Sequence, residues 1–239
     1  MVGTGCPPYD LRPTSMTPYP ACYSFGMQKK SSSPSYPRRP GPPQQVRIIG
    51  GAWKRTPLPV LDAFGLRPTP DRVRETVFNW INHQMDGDWD AADCLDLFAG
   101  SGALGFEAAS RGARSVTMID TVGPVVRQLE MIKDKLKADK VKVLRADALA
   151  VARDLAQRGQ RFDVIFLDPP YQQDFLGQAL PLCAQLLKEG GLVYAESGER
   201  LPFAEGEEAG EATPDWLAPW QQLRGDKAGM VHFHLLKLH

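Results

Sequence analysis

The chain reads as an α/β domain on an open, mostly parallel sheet, and two observations carry that reading. From Asp93 onward, short apolar runs of strand length alternate with segments whose apolar residues recur at helical spacing, the pattern of parallel strands joined by crossover helices. Asp96, Asp120, Asp147 and Asp168 all fall where an apolar run ends, which is where such sheets bind ligands.

Taken in order, residues 46–61 form a short β ribbon, confined to an edge by Pro57 and Pro59, which cannot donate to a ladder. A helix over 71–84 starts at Thr69 or Asp71, with Val73, Val77, Trp80 and Ile81 on one face and Arg72, Arg74 and Glu75 on the other. Then come strand 93–98, helix 103–111, strand 115–120, helix 123–138, strand 141–145 and helix 148–158. Strand 162–168, helix 174–188 and, after a Gly190-Gly191 turn, strand 191–196 complete the alternation. The last strands, about 219–225 and 229–238, are too close for a crossover helix and so form an antiparallel edge pair. The result is seven strands with helices on both faces.

Asp168-Pro169-Pro170-Tyr171 closes the run Val164-Ile165-Phe166-Leu167. Two prolines continue neither ladder nor helix, so the chain turns there and presents Asp168, the Pro169 carbonyl and Tyr171 together. The two oxygens can accept both hydrogens of an exocyclic amine while Tyr171 stacks on its ring. Asp-Pro-Pro is also a common turn former, which leaves a plain turn open. Upstream, Cys94-Leu95-Asp96-Leu97-Phe98 runs into Ala99-Gly100-Ser101-Gly102-Ala103-Leu104-Gly105. Gly100 and Gly102 permit a sharp bend and a close ligand, and a helix from about Ala103 offers free amides. Asp120 follows about 20 residues after the first glycine, where a carboxylate can take ribose hydroxyls. This motif suits NAD as well as S-adenosylmethionine. His83, at a helix end, and His232, His234 and His239, crowding the last strand, are badly placed for the proton transfer a nicotinamide enzyme needs.

The order of these strand ends over residues 93–197 resembles class I S-adenosylmethionine methyltransferases, whose fold is Rossmann-like. Arg47-Ile48-Ile49-Gly50-Gly51-Ala52-Trp53-Lys54 and Gly65-Leu66-Arg67-Pro68-Thr69-Pro70-Asp71-Arg72-Val73-Arg74-Glu75-Thr76-Val77-Phe78-Asn79-Trp80 resemble the RsmD family of bacterial 16S ribosomal RNA guanine-N2 methyltransferases, extending the likeness from residue 46 to the C-terminus. Pro70 replaces an expected small polar residue, and Asp120 a more usual Glu. The resemblance implies that Asp96 and the turn from Phe98 through Gly100 to Gly102 hold the methionine part of the cofactor. It assigns the ribose to Asp120, the adenine edge to Asp147 and Ala148, and the target amine to Asp168 and Pro169, with guanine beside Tyr171. It turns Arg47, Lys54 and Arg55 toward RNA. Arg67, Arg72 and Arg74 form either a salt-bridged helix surface or a cover that meets RNA. A DNA adenine-N6 methyltransferase and an inactive ribosome-assembly factor remain as alternatives.

Formal net charge is zero, with 28 basic and 28 acidic residues, but the distribution is uneven. Up to residue 60, eight basic residues (Arg12, Lys29, Lys30, Arg38, Arg39, Arg47, Lys54, Arg55) face one acidic residue, Asp10. Glu196, Glu199, Glu205, Glu207, Glu208, Glu211 and Asp215 form a late acidic flank, expected to face solvent. Residues 1–45, rich in Pro, Ser, Gly and Tyr, cannot bury a core and are expected to be disordered; residues 46–239 form one domain. Met27-Gln28-Lys29-Lys30-Ser31 resembles a normal start for the family, which marks residues 1–26 as an over-extended gene start. Cys6, Cys22, Cys94 and Cys183 lack paired spacing; the latter two read as reduced core thiols, and no metal is expected. With no apolar run of about 18 residues, the expectation is a cytoplasmic monomer acting on 16S ribosomal RNA in the small subunit.

Overall fold

The computed structural model describes residues 45–61, 69–170, 175–203 and 213–239. Strands β1 (Gln45–Arg47) and β2 (Pro57–Pro59) pair antiparallel, with Val46 opposite Leu58. Both strands read exposed, buried, exposed, so one apolar residue from each points into the core. The ribbon is fastened to helix α2 (Ala103–Ser110). The carboxylate of Glu107 accepts from the Ile49 and Gly50 amides at 2.6 and 2.8 Å, and Ser110 Oγ accepts from the Trp53 amide at 2.9 Å. A Cβ on Gly51 would lie 1.8 Å from the Ser110 carbonyl oxygen; only glycine permits this approach, and its φ of +73° belongs to glycine too.

Helix α1 (Asp71–Gln84) has the expected bounds but no side-chain cap. Neither Thr69 nor Asp71 caps it. Pro70 stands at the N-cap with no side-chain cap, and its carbonyl accepts from the Val73 and Arg74 amides. The Pro70 departure is therefore accommodated where the helix needs an acceptor and no donor. Arg74, expected on the outer face, is fully buried. Its guanidinium donates to the Arg47 carbonyl at 2.9 Å, to the Thr69 carbonyl at 3.3 Å and to Asp71 at 2.5 Å, so its donors are spent on tying ribbon to helix.

The remaining strands are β3 (Asp93–Asp96), β4 (Ser115–Asp120), β5 (Val141–Arg145), β6 (Phe162–Leu167), β7 (Leu187–Ser197), β8 (Trp220–Ala228) and β9 (Val231–Leu238). They form one sheet in the order β5-β4-β3-β6-β7-β9-β8. The pairings from β5 to β7 are parallel, and β9 lies antiparallel to both β7 and β8. Side chains alternate between two cores, as strand geometry requires. Val116, Val164, Phe166 and Tyr194 pack with α1, α2 and α3 (Gly123–Leu136). Leu95, Ile165, Leu167 and Val193 pack with α4 (Ala148–Gln157) and α5 (Phe175–Leu186). Several boundaries move: β3 ends at Asp96, α3 at Leu136 and α5 at Leu186, β8 runs on to Ala228, and β7 starts at Leu187, before the expected Gly190-Gly191 turn. Phe162 pairs with Leu187 and Val164 with Leu192, so the two glycines bulge within the strand. Cys94 and Cys183 are buried free thiols, and burial raises both pKa values. No helix among the described residues is long and apolar enough to cross a membrane.

Candidate active site

Sheet order reverses between β3 and β6, and the carboxyl ends of β3, β4 and β6 bring Asp96, Asp120 and Asp168 to that crevice. Asp96 is 1% exposed. Its Oδ2 accepts from the Gly105 amide at 3.1 Å, while the buried Oδ1 makes no hydrogen bond. Burial pushes its pKa up to about 7, and the nearby Asp120 adds to the rise.

The turn from Phe98 to Gly102 follows. Gly102 has φ +79°, and a Cβ there would strike Phe106 and Leu129 at 2.6 and 2.7 Å. Its bareness therefore serves helix packing. A Cβ on Gly100 would find only the Phe98 carbonyl, at 3.9 Å, so the close approach expected of both glycines belongs to Gly100. Asp120 accepts from the Gly100 amide at 3.0 Å and the Val122 amide at 2.8 Å. Burial raises its pKa, opposed by these bonds. Phe98 meets Phe175 edge-on at 5.3 Å between centroids, giving the crevice an aromatic wall. Asp147 is exposed and caps α4 by accepting from the Ala150 amide at 2.8 Å; Ala148 beside it is buried. Asp147 thus has a structural use that the sequence did not separate from a ligand role.

Asp168 directly follows β6 and is half-buried, with buried Pro169 and exposed Pro170 after it. Protein packed around its carboxylate raises the pKa well above the usual range, with Glu196 and Asp96 adding repulsion. Tyr171 and Arg67 lie outside the described residues. Thr69 Oγ1 stands 3.4 Å from Asp168 Oδ2 and 2.7 Å from Glu196 Oε1. The Tyr194 hydroxyl donates to the same Glu196 oxygen at 2.7 Å. Glu196, placed by its sequence in a solvent-facing acidic flank, is 1% exposed. A signal was present: Leu192, Tyr194 and Glu196 alternate on one face of a strand.

The basic residues divide. Arg47, Lys54, Arg55 and Arg72 are exposed, with Arg47 paired to Asp71 at 2.5 Å; Arg74 is internal and offers nothing to a phosphate. The crevice has groups that suit an adenosine-sulfonium ligand: a buried Asp96 oxygen without a hydrogen bond, an open glycine turn at Gly100, and Asp120, whose oxygens retain acceptor capacity.

The family model described as "Conserved hypothetical protein 95" matches residues 46–237. The chain belongs to this family, the RsmD family. Its relatives include "Ribosomal RNA small subunit methyltransferase D" of Escherichia coli strain K12, 39% identical over 193 residues, covering 80% of this chain and 89% of that protein. The protein of the same name from Haemophilus influenzae is 37% identical over 195 residues, covering 80% and 93%. The solved yhhF structure from Escherichia coli is 36% identical with a TM-score of 0.64, covering 82% of this chain and 98% of its own. The RsmD fold, Rossmann-like and of the class I methyltransferase type, is therefore the fold of this chain.

Proposed function

We propose that this RsmD-family protein transfers a methyl group from S-adenosylmethionine to the exocyclic N2 of a guanine in 16S ribosomal RNA, within the small subunit or a late assembly intermediate. The observation that carries the reading is Asp168, half-buried directly after β6, at the same sheet edge as Asp96, Gly100 and Asp120, in a chain whose relatives are named as small-subunit methyltransferases. The protein acts as a cytoplasmic monomer without a metal.

Bound S-adenosylmethionine supplies an electrophilic methyl group on a good leaving group. Asp96 and the Phe98–Gly102 turn hold its methionine end, Asp120 accepts from the ribose hydroxyls, and Asp147 with Ala148 borders the adenine. Asp168 and the Pro169 carbonyl accept hydrogens from guanine N2, Pro170 fixes the turn, and Tyr171 stacks on the base. The N2 lone pair is delocalised into the ring, and these two acceptors favour the tetrahedral nitrogen that can attack. What the residues contribute is in-line placement and support of the charge appearing on nitrogen. Arg47, Lys54, Arg55, Arg67 and Arg72 take RNA phosphates.

The test is transfer of labelled methyl to small subunits, naked 16S RNA and duplex DNA, with the product nucleoside identified. N2-methylguanosine from an RNA substrate is expected; label in DNA adenine would replace the reading. Asp168→Ala should lose about 100- to 1,000-fold in turnover with cofactor affinity nearly unchanged, and near-normal turnover would remove Asp168 from the mechanism. Asp120→Ala should act in the opposite sense. Loss of hydrogen bonds to a charged group should weaken S-adenosylmethionine by roughly 10- to 150-fold, measured by calorimetry.

A further inference from the structure

Behind Asp168 lies a second carboxylate that the proposed chemistry has not used. Glu196 is 1% exposed and is reached from Asp168 through a single hydroxyl, Thr69 Oγ1, at 3.4 Å on one side and 2.7 Å on the other. A threonine hydroxyl carries one hydrogen. That hydroxyl lies between the two carboxylates, nearer Glu196 and still within reach of Asp168. Tyr194 Oη, donating at 2.7 Å, leaves Glu196 Oε1 with two hydroxyl donors. Two hydroxyls fix that oxygen on the Asp168 side of the strand. Thr69 itself is 8% exposed and immediately precedes Pro70, the N-cap of α1. The start of the helix therefore sets where this hydroxyl sits.

We propose that Thr69 and Glu196 are positioning residues for methyl transfer: Thr69 sets the Asp168 carboxylate against the target amine, and Glu196 places a second buried negative charge behind it. The inference rests on the reading of Asp168 as the amine acceptor. As the N–C bond forms and the S–C bond breaks, positive charge leaves sulfur and appears on N2, where it stays until a proton departs. Negative charge held close by, in surroundings of low dielectric, lowers the energy of that nitrogen more than it affects the neutral amine.

Glu196→Gln keeps the volume and an oxygen acceptor for both hydroxyls, and removes only the charge. Thr69→Val removes the hydroxyl while keeping the shape; Thr69→Ser keeps the hydroxyl. Each variant is assayed beside the wild type for kcat and KM with small subunits, for S-adenosylmethionine affinity by calorimetry, and for thermal melting. Glu196→Gln is expected to lose about 10- to 100-fold in kcat, with KM and cofactor affinity within a few fold and melting retained. Thr69→Val should lose about tenfold or more in kcat, and Thr69→Ser should recover most of it. Wild-type kcat in Glu196→Gln, a loss carried by KM alone, or equal turnover of Thr69→Val and Thr69→Ser would overturn the inference while leaving the proposed function standing. A wild type that methylates none of the substrates overturns both.

Discussion

Asp93 and Asp96 lie on one strand and titrate in opposite directions. Asp93, at the amino end of β3, is drawn below the usual carboxylate range by the Arg114 guanidinium, with Ser115 and Lys188 assisting. Asp96, at the carboxyl end, is raised to about 7 by burial. Folding therefore leaves Asp96 protonated between its ordinary pKa of 3.8 and about 7, a range in which the unfolded chain has released that proton. The folded state binds more protons there, so stability falls as pH rises through this window. Asp120 and Asp168 are shifted in the same direction, and Asp93, lowered instead, adds no slope well above its ordinary pKa of 3.8. Denaturant unfolding of the cofactor-free protein from pH 5 to 7 should show this decline. Asp96→Asn should flatten it by at most about 1.4 kcal/mol per pH unit; an unchanged slope would mean that Asp96 is solvated. The acids at strand ends were legible in the sequence because a carboxylate closing an apolar run needs only local pattern to notice. Arg74, Glu107 and Glu196 were not. A charged residue reads as surface unless its partners are known, and beside their near neighbours these have partners 27, 57 and 127 residues away.

At the scale of elements, the bounds of α1, β4 and β5 agree with the sequence pattern: α1 and β5 alternate buried and exposed residues, and β4 is a short apolar run with both faces covered. Helix α2 is different: all eight residues are buried, so it has no solvent-facing side, and its role as an anchor comes from Glu107 and Ser110 on the ribbon side. That carboxylate accepts from two ribbon amides and from Arg111 Nε at 2.8 Å, and Arg111 in turn lies over the Phe78 ring at 5.0 Å. Glu107→Ala should leave two amides and a guanidinium without their acceptor, costing about 3 to 5 kcal/mol. Glu107→Gln, retaining one good acceptor, should cost less. Chemical denaturation gives the totals, and hydrogen exchange at Ile49 and Gly50 locates the damage. Full protection of those amides in Glu107→Ala would show that Ser110 and Arg74 hold the ribbon unaided.

For the molecule as a whole, zero net charge conceals an arrangement suited to a polyanion, provided that the basic ribbon rather than the N-terminal segment meets it. The family match begins at residue 46, where the ribbon begins, and Glu107, Ser110 and Arg74 fix that ribbon to the domain. Arg47, Lys54 and Arg55 are therefore presented from a held platform, whereas Arg12 to Arg39 precede the matched region. A cation held in place loses little freedom on meeting a phosphate. Deleting residues 1–40 should leave methylation of small subunits largely intact. Combining Arg47→Gln, Lys54→Glu and Arg55→Glu should weaken RNA binding and flatten its dependence on salt, by about 0.7 to 0.9 in the log–log slope for each phosphate that is no longer neutralised. Calorimetry should find S-adenosylmethionine affinity unchanged in the triple variant, because the ribbon touches none of Asp96, Gly100 or Asp120 through the bonds that hold it. If the truncated protein is inactive and the triple variant binds RNA with the wild-type salt slope, the RNA surface belongs to the first 40 residues.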